Sequence, residues 1–121
     1  MKKIMIVEDS SLMIAVISNF IKKEGKEVTL ISAHNGKEAI DMYEQEKPDI
    51  VFMDIKMPIM DGMQSLEEIK KKDPAAKVVM CTSLKEQAQE DKAKALGACG
   101  YIMKPFSRQD IISAIEKNTD W

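Results

Sequence analysis

Five polar side chains stand where apolar runs stop, and their types suit a site that handles phosphate. Glu8 and Asp9 follow the run Ile4 to Val7, and Asp54 follows Ile50 to Met53. Thr82 closes the run KVVMCT, and Lys104 closes GYIM. A carboxylate at the end of a buried run is expensive to ionise unless something compensates it. Three acids in one crevice would also repel and raise one another's pKa. A hard divalent cation relieves both problems, and Mg²⁺ favours one or two carboxylates plus water and phosphate oxygens. An oxygen nucleophile, a metal, a hydroxyl and an ammonium group are the parts that phosphoryl transfer requires.

Whether these residues meet depends on the elements that carry them. Apolar runs alternate with amphipathic stretches from end to end. The strands are read as KIMIVE from Lys3, EVTLISA from Glu27, DIVFMD, KVVMCTS and GYIMK. Between them, Met13, Val16, Ile17, Phe20 and Ile21 fall at helical spacing, stopped by Gly25. Ala39, Ile40 and Tyr43 mark a second helix after the Asn35-Gly36 turn, and Leu66 and Ile69 a third, closed by Asp73-Pro74. The fourth is expected from about Lys85 to Leu96, and Ile111, Ile112 and Ile115 mark the fifth. Continuous apolar strands joined by helices imply an α/β, doubly wound, five-stranded parallel sheet with helices on both faces. With strand order 2-1-3-4-5 the first and third strands are neighbours at the switch point, where ligands bind beyond the strand ends. Glu8, Asp9 and Asp54 then share a crevice, with Thr82 and Lys104 on its far side.

Composition narrows the function classes. The chain has 121 residues, 45% hydrophobic and 31% charged, which fits one globular domain spanning 1–121. A net charge of −2 excludes the basic footprint of a general nucleic-acid binder. The apolar run near the N-terminus is interrupted too early for an export signal, and no stretch is long enough for a membrane span, so a cytoplasmic protein is expected. Cys81 and Cys99 lack metal-ligand or CxxC spacing and read as small buried hydrophobes. Taken singly, each candidate has a plain structural alternative. EDSS and Thr82-Ser83 could be helix caps, and Lys104 an exposed loop lysine.

The set IVEDS, PDIVFMDIKMPIMDG, CTS and GYIMKPF resembles the receiver domain of two-component response regulators, in particular the stand-alone CheY type, over essentially the whole chain. The resemblance implies a flavodoxin-like fold and makes Asp54 the phosphoacceptor, charged by a sensor histidine kinase. It implies Mg²⁺ held by Asp9, Asp54 and the Lys56 backbone carbonyl, with Glu8 acting through water. Thr82 becomes the switch hydroxyl, Lys104 the partner of a phosphoryl oxygen through a cis Lys104-Pro105 peptide, and Tyr101 the aromatic whose rotation follows Thr82. The implied protein is a monomeric signalling switch that catalyses only its own phosphorylation and dephosphorylation. Its fourth helix, fifth strand and fifth helix would present a face to a motor, switch or adaptor protein. A dephosphorylating helper is also expected. No output domain is expected, and chemotaxis is the implied setting. A phosphorelay intermediate, a phosphate sink or a receiver cut from a larger regulator are the alternatives. Lys56 and Leu84 flank the route of hydrolytic water and are expected to slow its attack.

Other readings of the same sheet fit less well. An FMN-binding carrier needs a glycine- or hydroxyl-rich phosphate loop where this chain has acidic EDSS. A phosphatase of the haloacid dehalogenase type needs its nucleophile in a DxD motif after the first strand. His34, the only histidine, lies at a turn and reads as a solvated loop residue.

Overall fold

The computed structural model describes all residues, 1–121. Five strands and five helices alternate: β1 Lys2–Val7, α1 Ser11–Lys22, β2 Val28–Ala33, α2 Gly36–Glu46, β3 Ile50–Met53, α3 Gly62–Lys72, β4 Val78–Thr82, α4 Gln87–Ala95, β5 Gly100–Met103 and α5 Arg108–Asn118. All neighbouring strands pair in parallel, and the sheet runs β2-β1-β3-β4-β5. The expected order is the observed one.

The three central strands are apolar because both of their faces are covered. Ile4–Val7, Ile50–Met53 and Val78–Cys81 are all buried. Alternation along each strand divides the core in two. Met5, Val7, Val51, Met53, Val78 and Met80 face Leu66 and Ile69 of α3 and Ile40 of α2. Ile4, Ile6, Ile50, Phe52 and Val79 face Ile17 and Ile21 of α1 and the three isoleucines of α5. The edge strands differ: most of β2 and all of β5 are only partly covered. Cys99, entering β5, is therefore half-buried rather than fully buried, whereas Cys81 in β4 is enclosed. Burial pushes the Cys81 thiol up to about 12 and raises that of Cys99, so neither is poised as a thiolate.

Helix starts follow local capping chemistry. Ser10, Asn35, Asp61 and Ser107 each accept a hydrogen bond from the backbone N–H three residues on. Helix α4 starts two residues later than expected, at Gln87, and its N-cap Glu86 makes no side-chain bond. Thr82 and Ser83 therefore cap nothing. No helix is long and apolar enough to cross a membrane.

Candidate functional site

Parallel pairing brings the strand ends level. Val7 pairs with Met53, so Glu8 and Asp54 leave adjacent strands at the same height. The Asp54 N–H donates to Val7 O at 3.0 Å, extending that ladder by one bond. Oxygens of Glu8, Asp9 and Asp54 come within 4.8 Å of one another. Glu8 and Asp54 are buried and Asp9 is exposed.

Lys104 reaches this cluster from the end of β5. Its Nζ lies 2.8 Å from Glu8 Oε2 and 3.4 Å from Asp54 Oδ2. It is far from an exposed loop lysine: only 18% of its side chain is accessible. Burial works to lower its pKa, but the bond to Glu8 and the charges of Asp54 and Glu8 outweigh that, and the net shift is upward. Burial pushes the Glu8 carboxyl up to about 7, opposed by the Lys104 hydrogen bond and assisted by the charge of Asp54. The peptide between Lys104 and Pro105 is cis, as expected.

The other Asp54 oxygen, Oδ1, accepts a 2.8 Å bond from the Ile55 N–H. No hydrogen bond within the protein engages the Lys56 carbonyl. An all-oxygen set, an acid whose charge is poorly tolerated and an uncommitted carbonyl beside it fit a hard divalent cation such as Mg²⁺.

Thr82 is almost wholly buried at the end of β4, and its Oγ1 accepts a 3.2 Å bond from the Leu84 N–H. Tyr101 is half-buried, and its hydroxyl donates a 2.8 Å bond to the Leu84 carbonyl. The two side chains thus hold the same residue of the β4–α4 loop, one at its N–H and one at its C=O. His34 is exposed beside the α2 N-cap, outside the cluster.

Several residues that position the site escape a reading by residue type. Gly62 donates from its N–H to Ile55 O at 2.8 Å, and a Cβ there would fall on the Asp54 carbonyl oxygen. Helix α3 can approach the loop after β3 this closely only because position 62 has no side chain. Gly36 N–H donates to Met60 O at 2.9 Å, and the fully buried Ser65 hydroxyl donates to Gly36 O at 2.9 Å. These bonds sew the loop after β3 to the start of α2. The sequence signal for part of this was the capping box Asp61-Gly62-Met63-Gln64, whose reciprocal bonds the structure contains.

Known proteins are similar to this chain in sequence and fold. The family described as the response regulator receiver domain matches residues 4–116. A chemotaxis protein CheY of Listeria monocytogenes is 43% identical over 117 residues, covering 97% of this chain and 98% of its own. That of Thermotoga maritima is 40% identical over 116 residues, 96% of each chain. Among solved structures, the CheX–CheY–BeF3–Mg²⁺ complex from Borrelia burgdorferi superposes with a TM-score of 0.90 at 29% identity, covering 96% of this chain and 87% of that one. With the fold, the acid cluster and near full-length likeness in agreement, the chain belongs to the receiver-domain family of two-component response regulators, of the CheY type.

Proposed function

We propose that this chain is a phosphorylation-activated switch that takes a phosphoryl group from a histidine kinase onto Asp54 and passes the signal to a partner protein, in the cytoplasm and in the service of chemotaxis. The observation that carries this reading is the convergence of Asp54, Glu8, Asp9 and Lys104 from three strands on one point, where the Lys104 ammonium lies 3.4 Å from Asp54 Oδ2. The relatives named as chemotaxis proteins support the setting. The Borrelia complex, with its phosphoryl mimic and magnesium, supports the chemistry.

Each side chain has a role in this reading. With Oδ1 tied to the Ile55 N–H, Asp54 presents Oδ2 as the nucleophile. Lys104, already beside Oδ2, stabilises the negative charge that develops on the transferred group. Asp9, Asp54 and the Lys56 carbonyl would hold Mg²⁺, with Glu8 acting through water. When bound, the ion supplies positive charge among the acids and to the phosphoryl oxygens.

The Thr82 hydroxyl exchanges its bond from Leu84 N–H for one to the phosphoryl group, a population shift toward the conformer that best accommodates the added charge. Since Tyr101 holds the carbonyl of the same Leu84, the loop and β5 respond together. Tyr101 also lines a groove of about 450 Å³ between β5 and α5, with Met103, Asp110, Ala114 and Lys117. The groove belongs to the β5–α5 part of the α4-β5-α5 face, and its contact with Tyr101 supports the reading of phosphorylation there by a partner.

Hydrogen exchange tests this proposal. Beryllofluoride with Mg²⁺ is expected to change amide protection across 82–103 in the wild type and not in Asp54→Asn. An unaltered exchange pattern in that segment would contradict the switch.

A further inference from the structure

The turn that leads from Lys104 into α5 has one apolar anchor. Pro105 and Ser107 are exposed, whereas Phe106 packs on the core between α1 and α5. There it meets Phe20 of α1, edge to face, with ring centroids 6.2 Å apart and planes at 78°. Aromatic pairs in this geometry stabilise beyond their buried area, and each ring fixes the orientation of the other. Arg108, at the start of α5, adds a second tie to the same helix: its Nη1 lies 3.1 Å from Glu24 Oε2, just past the end of α1.

Lys104 stands two residues before that anchor. Its N–H donates to Thr82 O at 2.8 Å, and its Nζ ends beside Glu8 and Asp54. The lysine stem is long and flexible, so the ammonium is only as well placed as the main chain beneath it. Pro105, with its fixed φ, passes the position of Phe106 on to Lys104 with little slack. Helix α1 also begins directly after the acids, since its N-cap Ser10 follows Asp9. One helix therefore ties the acids at its start to the Lys104 turn near its end.

We propose that Phe20 is a positioning residue for phosphoryl transfer, holding Lys104 beside Asp54 Oδ2 through its contact with Phe106. The inference rests on Asp54 being the acceptor and Lys104 its charge partner. With a small P–N donor, the P–N bond breaks as the P–O bond to Asp54 forms. The electron pair of the broken bond stays on the departing nitrogen, which leaves protonated as ammonia. Lys104 faces the negative charge on the transferred group, and such stabilisation falls steeply when the cation is displaced. Phe20 lies outside the acid cluster and acts on this step only through the turn.

A double-mutant cycle with Lys104 tests the proposal, read as the rate at which phosphoramidate labels Asp54 at saturating Mg²⁺. Phe20→Ala is expected to slow labelling about tenfold, as the misplacement of a catalytic group does. In a Lys104→Ala chain the same change is expected to cost less than about twofold, because the group it positions is gone. Phe20→Leu keeps apolar bulk, stays folded by circular dichroism, and is expected to show the same pattern with a loss of about threefold. Should Phe20→Ala fail to fold, Phe20→Leu decides alone. An equal loss in both backgrounds would make Phe20 a support of the fold only and overturn the proposal. So would a wild-type rate in the Phe20 variants. Labelling of Lys104→Ala at the wild-type rate would instead refute the role of Lys104, and a wild type without label would refute that of Asp54.

Discussion

The Lys104 ammonium lies 2.8 Å from Glu8 Oε2, and this contact joins the last strand of the sheet to the first. The residues are 96 positions apart in sequence, yet both follow strands at the same, C-terminal end of the parallel sheet. The ammonium offsets part of the negative charge at the centre, but it does not hold Glu8 fully ionised. Burial still raises the Glu8 carboxyl to about 7.

A pH dependence follows from that shift. Between the ordinary carboxyl value of 4.5 and about 7 the folded chain keeps a proton on Glu8 that the unfolded chain has released. In metal-free buffer this contribution to stability is therefore full at low pH and falls as pH rises through that window. Urea unfolding at pH 5 and pH 8 should show the loss, and Glu8→Gln should reduce it. A Glu8→Gln profile parallel to that of the wild type would show that Glu8 does not titrate in this range.

Gly62→Ala is expected to disturb the site from a distance in sequence. The new methyl would occupy the place of the Asp54 carbonyl, so the loop or α3 must move. A cost of about 3 kcal/mol is expected, together with slower acceptance of phosphate from phosphoramidate. Calorimetry and rate measurement on the same preparation check both. Wild-type stability would mean that α3 does not pack against the loop as described.

Tyr101→Phe removes the hydroxyl that holds the Leu84 carbonyl. A loss of about 1 kcal/mol is expected from one half-buried hydrogen bond. Exchange protection should weaken in 83–86 while Asp54 still accepts phosphate normally. A slower acceptor reaction would place Tyr101 in the chemistry rather than in the response to it.

Lys56 and Leu84 line one cavity of about 410 Å³, together with Ile55, Met57 and Asp61. This places both beside the loop that follows Asp54. Replacing Leu84 with glutamate or Lys56 with asparagine should admit and orient water, and is expected to shorten the phosphoryl lifetime severalfold. Loss of label followed over time after removal of the donor checks this, and unchanged lifetimes in both variants would end the shielding role.

Most of the architecture was legible because strand burial writes itself as continuous apolar runs. Ile50 to Met53 ending on Asp54 is enough to mark both a central strand and the site beyond it. The edges were less legible: β2 and β5 share the composition of the buried strands but lose one neighbour, so Cys99 is only partly covered. The start of α4 was misplaced by two residues because no side chain caps it. Beyond the capping box that begins at Asp61, the roles of Gly62, Ser65 and the Leu84 backbone were not legible. Their contribution is a close approach or a main-chain bond, and neither depends on a residue type that announces chemistry.

The most direct test locates the phosphoryl group itself. The wild type and Asp54→Asn are incubated with phosphoramidate and Mg²⁺, and the products are digested and mapped by mass spectrometry. One phosphoryl per wild-type chain is expected, on the peptide containing Asp54, and none on the variant. Label on Asp54→Asn at the wild-type level, or on a wild-type peptide without Asp54, would contradict the assignment of the acceptor.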